Sequence, residues 1–266
     1  MKKTKLGFTL VEVSLFLAVT ALLFLGVMMG VRSSIYQQRY NDSVQNFADF
    51  LRGLYSEVSN VEHSGNGMSN KAVYGKLVTF GEGRDLNGTA ISSTENRVFV
   101  YTVIGDIGEI GYGGTVDGLT NLRNALRSLN VNVIIEDGGT YKYVGIAREY
   151  VIRWQAGIQT TAAYGSGYNK YNGSILIVRH PRSGTIHTLV SNNVIQVNNA
   201  VKSNTGGSTL LTSQLNSFSF SQKDFCINPL GNAKSNQRRN IKLASDARNA
   251  SGVRLIDQDS AENSCL

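Results

Sequence analysis

Met1-Lys-Lys-Thr-Lys-Leu-Gly7, then Phe8-Thr-Leu-Val-Glu12, then an apolar run to Val31: this opening stretch decides the fold. Glu12 is the only ionisable side chain among residues 8–31. A carboxylate inside a hydrocarbon-spanning helix is expensive, and a chain that keeps one has a use for it. As a helix, residues 8–31 would extend roughly 36 Å, more than the roughly 30 Å hydrocarbon core of a bilayer. A cleavable signal peptide also opens with basic residues and an apolar core. Here the run is longer, no A-x-A-like site follows it, and the small residue, Gly7, precedes it. Lys2, Lys3 and Lys5 place the N-terminus in the cytoplasm and the remaining mass outside. Arg32 and Arg39 on the far side pull the other way.

The helical pattern continues beyond the apolar run. Tyr40, Val44, Phe47, Leu51, Leu54, Val58 and Val61 recur at alternating steps of 4 and 3, the spacing of one apolar helix face. Asn41, Asp42, Gln45, Asp49 and Glu57 fall largely off that face. Gly53 weakens the helix without ending it, and Ser64-Gly-Asn-Gly67 ends it. One helix is therefore expected from Phe8 to about His63, on the order of 80 Å long, with two helices kinked near Gly30 as the alternative. Its second half must pack on something, and the C-terminal domain is the expected partner.

Gly7-Phe8-Thr9-Leu10-Val11-Glu12 resembles the processing site of type IV pilins and of the pseudopilins of type II secretion. The resemblance covers residues 1 to about 60. It combines a short basic leader, Gly, Phe, an acid five positions after Gly, and an apolar helix. It implies that residues 1–7 are a leader, removed after Gly7 by a membrane-embedded prepilin peptidase that then methylates the Phe8 amine. It further implies that Glu12 pairs with the N-terminal amine of a neighbouring pilin subunit. Phe8 and Glu12 would form an assembly site, not a catalytic one. The elementary chemistry agrees, since an ammonium neutralises a carboxylate that lipid would otherwise isolate. The protein would be a single-pass protein of the cytoplasmic membrane before assembly and part of an extracellular filament after it. Many major pilins carry a proline within the membrane helix. None occurs here between residues 8 and 60, and the chain is long at 266 residues. Both features point to a minor pilin or a pseudopilin. The alternatives are a secretion pseudopilin and a tip minor pilin that binds a surface or DNA. Glu12 counts against the tip pseudopilin type that lacks the acid.

The domain division expected is 1–7 leader, 8–31 membrane half of the helix, 32–64 amphipathic half, and 65–266 an exported β-rich domain. The fold class is α+β, a long N-terminal helix packed on an antiparallel sheet. One sheet face would bury the helix and the other would stay available to partners. Residues 73–80 and 97–104 are β-branched and aromatic-rich and read as strands. Leu119, Leu122, Leu126 and Leu129 predict a short amphipathic helix. Residues 131–135 read as a buried strand, 136–139 as a turn, and 141–154 as one strand bent near Ala147. Residues 174–190 read as a hairpin about a turn at 181–184. Phe218 and Phe220 alternate with serines as a half-exposed strand. Cys226 is then followed by a polar loop and by a last strand at 252–256. Cys226 and Cys265 are the two cysteines, with no zinc or redox spacing. In an exported domain such a pair reads as a disulfide, with two free thiols as the alternative. In pilins a C-terminal disulfide commonly staples the last loop to the sheet.

The formal net charge of +7 includes the three leader lysines, an excess too mild to imply nucleic acid by itself. Residues 223–254 hold seven basic side chains against Asp224 and Asp246. Arg238 and Arg239 are the candidate nucleic-acid contacts there, with Phe218, Phe220 and Phe225 as possible stacking partners. A solvated basic loop is the alternative. The glycines of 105–114 lack the Gly-Lys-Ser/Thr of a P-loop. Asp106, Glu109 and Asp117 do not have EF-hand spacing. His180 and His187 lack a third zinc ligand, and no nucleophile motif is present. The chain is expected to be neither an enzyme nor a cofactor or metal protein.

Overall fold

The computed structural model describes residues 9–60, 71–80, 82–84, 90–92, 96–107, 118–137, 140–142, 148–154, 156–159, 172–195, 210–229, 238–257, 260–262 and 264–265. The chain divides into two compact units, Met1–Asp42 and Ser43–Leu266. Helix α1 (Leu10–Ser59) begins in the first and ends in the second.

In the first unit α1 is apolar all round from Val13 to Val31 apart from Ser14 and Thr20, is continuous through Gly30, and every residue from 9 to 39 except Thr20 is exposed. It is long and apolar enough to cross a membrane. Its hydroxyls do not compete with lipid for partners. Ser14 donates to the Val11 carbonyl at 2.9 Å, and Thr20 to those of Phe16 and Leu17 at 2.9 and 3.0 Å. Such back-bonding satisfies a polar group inside an apolar segment.

The second unit is α+β. Its strands are β1 (Lys71–Phe80), β2 (Glu82–Arg84), β3 (Ala90–Ser92), β4 (Arg97–Asp106), β5 (Asn132–Asp137), β6 (Thr140–Lys142), β7 (Arg148–Val151), β8 (Ala156–Gln159), β9 (Gly173–Arg179), β10 (Ile186–Ser191), β11 (Lys223–Pro229), β12 (Arg239–Leu243) and β13 (Val253–Ile256). Helices α2 (Leu119–Ser128) and α3 (Leu210–Gln214) lie between them, α3 running into a 3-10 turn at Leu215–Ser217. The larger sheet has the order β10-β9-β1-β4-β5-β6, with β7 also on β4. The second has the order β13-β12-β11-β8. Among the described residues every pairing within these two sheets is antiparallel.

The expected apolar face of α1 is buried. Val44, Phe47, Leu51, Leu54 and Val58 are at most 5% exposed, and Ala48 and Tyr55 join them. Burying each large apolar side chain contributes about 1.5–3 kcal/mol. The face meets both sheets. Phe47 packs edge-on against Phe225 of β11 (6.4 Å), and both Phe47 and Phe50 contact Tyr150 of β7 (5.9 and 4.0 Å). Arg52 Nε donates to the Val253 carbonyl of β13 at 3.2 Å. Phe80 of β1 stacks on Phe225 at 5.3 Å and joins the two sheets directly.

The far face of the large sheet is covered too. Leu77, Phe99, Tyr101, Val103, Leu176, Val178 and Leu189 form a core with Leu122, Leu126 and Leu129 from α2 and its end, and with Leu211, Leu215 and Phe218. A sheet buried on both faces needs near-continuous apolar strands, and β9 is buried from Gly173 through Val178.

These observations correct several expectations. There are two principal sheets, not one, and the face expected to stay free carries α2 and residues 211–218. The helix ends at Ser59, short of His63. Ser59 turns its hydroxyl back to the Ser56 carbonyl at 2.8 Å, and Asn60 N closes the last turn on the same oxygen at 3.1 Å. Residues 141–154 are not one strand. β6 pairs with β5, whereas β7 lies on β4 from Arg97 to Val100, ahead of the Thr102–Ile104 stretch that holds β5. Trp154 has a positive φ of 59° and belongs to neither. Glu136 and Asp137 belong to β5, leaving only 138–139 between the paired strands. Phe218 and Phe220 flank a single bridge, Ser219 to Val190, not a strand. Cys226 lies within β11. The 174–190 hairpin and the α2 helix form as expected.

Candidate functional site

Helix α1 starts with a closed polar ring. Thr9 precedes the first helical residue, and its carbonyl accepts the first intrahelical bond, from Val13 N at 3.2 Å. Glu12 Oε2 accepts from both Thr9 N and Thr9 Oγ1, each at 2.9 Å, while Thr9 Oγ1 accepts from Glu12 N at 3.3 Å. This reciprocal arrangement satisfies two backbone N–H groups that a helix start leaves orphaned. It also sets a carboxylate at the positive end of the helix dipole. Glu12 Oε1 has no partner among the described residues. Thr9 was missed as a site residue, although Thr-x-x-Glu ahead of an apolar run is itself a helix-start signature. Gly7 and Phe8 lie outside the described residues.

The cysteines are joined. The Cys226–Cys265 bond ties β11 to the C-terminal tail across a separation of 39 residues. Beside it, Asn240, opposite Cys226 on β12, donates through Nδ2 to Ser264 Oγ (3.1 Å) and Asp224 Oδ1 (3.0 Å). Lys242 Nζ lies 3.6 Å from Glu262 Oε2. The tail is thus held to β12 as well as to β11.

Two of the three candidate stacking rings are not at the surface. Phe218 and Phe225 are fully buried core residues, and Phe220 packs on the His187 ring at 5.7 Å. Arg238 and Arg239 are half-buried at the start of β12. Apolar burial outweighed surface display for these rings. Glu109 and Asp117 lie outside the described residues. Asp106 ends β4, where Oδ2 accepts from Asn130 Nδ2 at 3.0 Å.

The two histidines have structural tasks. His180 Nδ1 accepts from Arg182 N and Ser183 N, each at 3.2 Å, and so shapes the β9–β10 turn. His187 is buried, with Nδ1 2.9 Å from Asp246 Oδ1. One residue on, Thr188 Oγ1 donates to the Ala247 carbonyl and meets the Tyr55 hydroxyl at 2.8 Å. Neighbouring strand residues point to opposite faces. The 244–249 loop therefore engages β10 from both sides of its edge. Burial, the largest cause, pushes the Tyr55 hydroxyl up to about 12, and the Asp246 charge adds to it. No cluster of three or more metal-ligating side chains occurs among the described residues.

Comparison with protein-family models, with curated proteins and with solved structures gives no match for this chain.

Proposed function

We propose that this chain is a subunit of an extracellular type IV pilus, of the minor kind, assembled through its N-terminal helix. The observation that carries the reading is Glu12. It is the sole ionisable group of residues 8–31, whose described part is an exposed apolar helix, and it is held at the helix start by Thr9. Cleavage after Gly7 would create an ammonium on Phe8, the residue next to Thr9. A carboxylate with one oxygen engaged and the other without a partner among the described residues suits capture of such an ammonium from a neighbouring subunit. The exposed apolar helix suits storage in the cytoplasmic membrane before assembly and burial among other subunits afterwards. The disulfide fits an oxidising compartment outside the cytoplasm. The partners are a prepilin peptidase, the membrane and other pilin subunits, and the role is structural, not catalytic.

Mass spectrometry of the N-terminal peptide from the native cell surface tests this. The expected peptide begins at Phe8 and carries one added methyl group. An intact Met1, or cleavage beyond residue 31, overturns the reading.

A further inference from the structure

We draw no further inference here: the strongest candidate, the surface patch around Trp154 in the β7–β8 connection, an indole 51% exposed on a backbone of positive φ, carries nothing because nothing in the structure shows what covers it.

Discussion

The Tyr55 hydroxyl stands 2.8 Å from Thr188 Oγ1, and Tyr55 is the donor, because Thr188 gives its single hydroxyl proton to the Ala247 carbonyl. One relay thus links the helix, the edge strand β10 and the loop before β13. Removing the Tyr55 oxygen leaves Thr188 bonded to Ala247. Tyr55→Phe should therefore cost only about 0.5–1.5 kcal/mol, measured by denaturant unfolding of the full chain in detergent.

The same residue sets an alkaline limit. Its folded value of about 12 lies above the ordinary 10, so between those pH values the unfolded chain loses the proton first. The stability contributed is complete below pH 10 and is lost as pH rises through 12, on the order of 2 kcal/mol in all. Tyr55→Phe should flatten this slope in unfolding curves at pH 9 to 12. Tyr74 and Tyr150, also pushed up by burial, keep a residual slope.

Asp246 combines a bond to buried His187 with a left-handed φ of 45°. Asparagine tolerates that backbone and still offers an oxygen acceptor. Asp246→Asn should be close to neutral, whereas Asp246→Ala should cost about 1–3 kcal/mol by leaving His187 Nδ1 unmatched. Thermal unfolding of the two variants compares loss of the charge alone with loss of the acceptor and of a side chain that suits this backbone.

Two glycines predict opposite signs. A Cβ on Gly53 meets nothing within 4 Å, so Gly53→Ala should stabilise the helix by about 0.5–1 kcal/mol. A Cβ on Gly75, at the irregularity of the β1–β4 ladder, would stand 2.1 Å from the Ile177 carbonyl oxygen. Gly75→Ala should destabilise by about 1–3 kcal/mol. Equal melting temperatures for the pair would contradict the packing described.

Cys265→Ser should lower stability by about 2–4 kcal/mol. Hydrogen exchange should rise first in residues 260–265, while Asn240 and Lys242 still hold part of the tail.

Glu12→Gln keeps an oxygen that Thr9 can engage but removes the charge. Helix start, read by hydrogen exchange at residues 10–13, should persist while incorporation into filaments falls sharply. Thr9→Ser should leave both intact. Normal incorporation of Glu12→Gln would separate the acid from assembly.

What was legible in the sequence depended on the range of the signal. The α1 face, α2, and the 174–190 hairpin declare themselves through local periodicity or turn chemistry. β11 and β12 do not. Lys223-Asp-Phe-Cys-Ile-Asn-Pro229 mixes charge, amide and proline without alternation, and its strand character comes from partners far along the chain. The covering of the second sheet face was hidden for a similar reason. α3 spans only five residues, too few to show a period. His187 and Asp246 are 59 residues apart, with nothing local to join them. At the candidate site the reverse holds: Thr9 and Glu12 stand three residues apart in one helix-start motif. The apolar surroundings of Glu12 declare its charge, and the Thr-x-x-Glu spacing declares its bond to Thr9.

The loop that grips β10 from both faces also decides how copies of this domain can associate. Exposed strand edges invite a second molecule to add its own strand. At β10 that route is obstructed, since Ser219 takes the backbone of Val190 and the side chains of His187 and Thr188 hold the 244–249 loop against the strand. An incoming strand would first have to peel this loop away. Copies of this domain are thus steered away from strand addition at that edge.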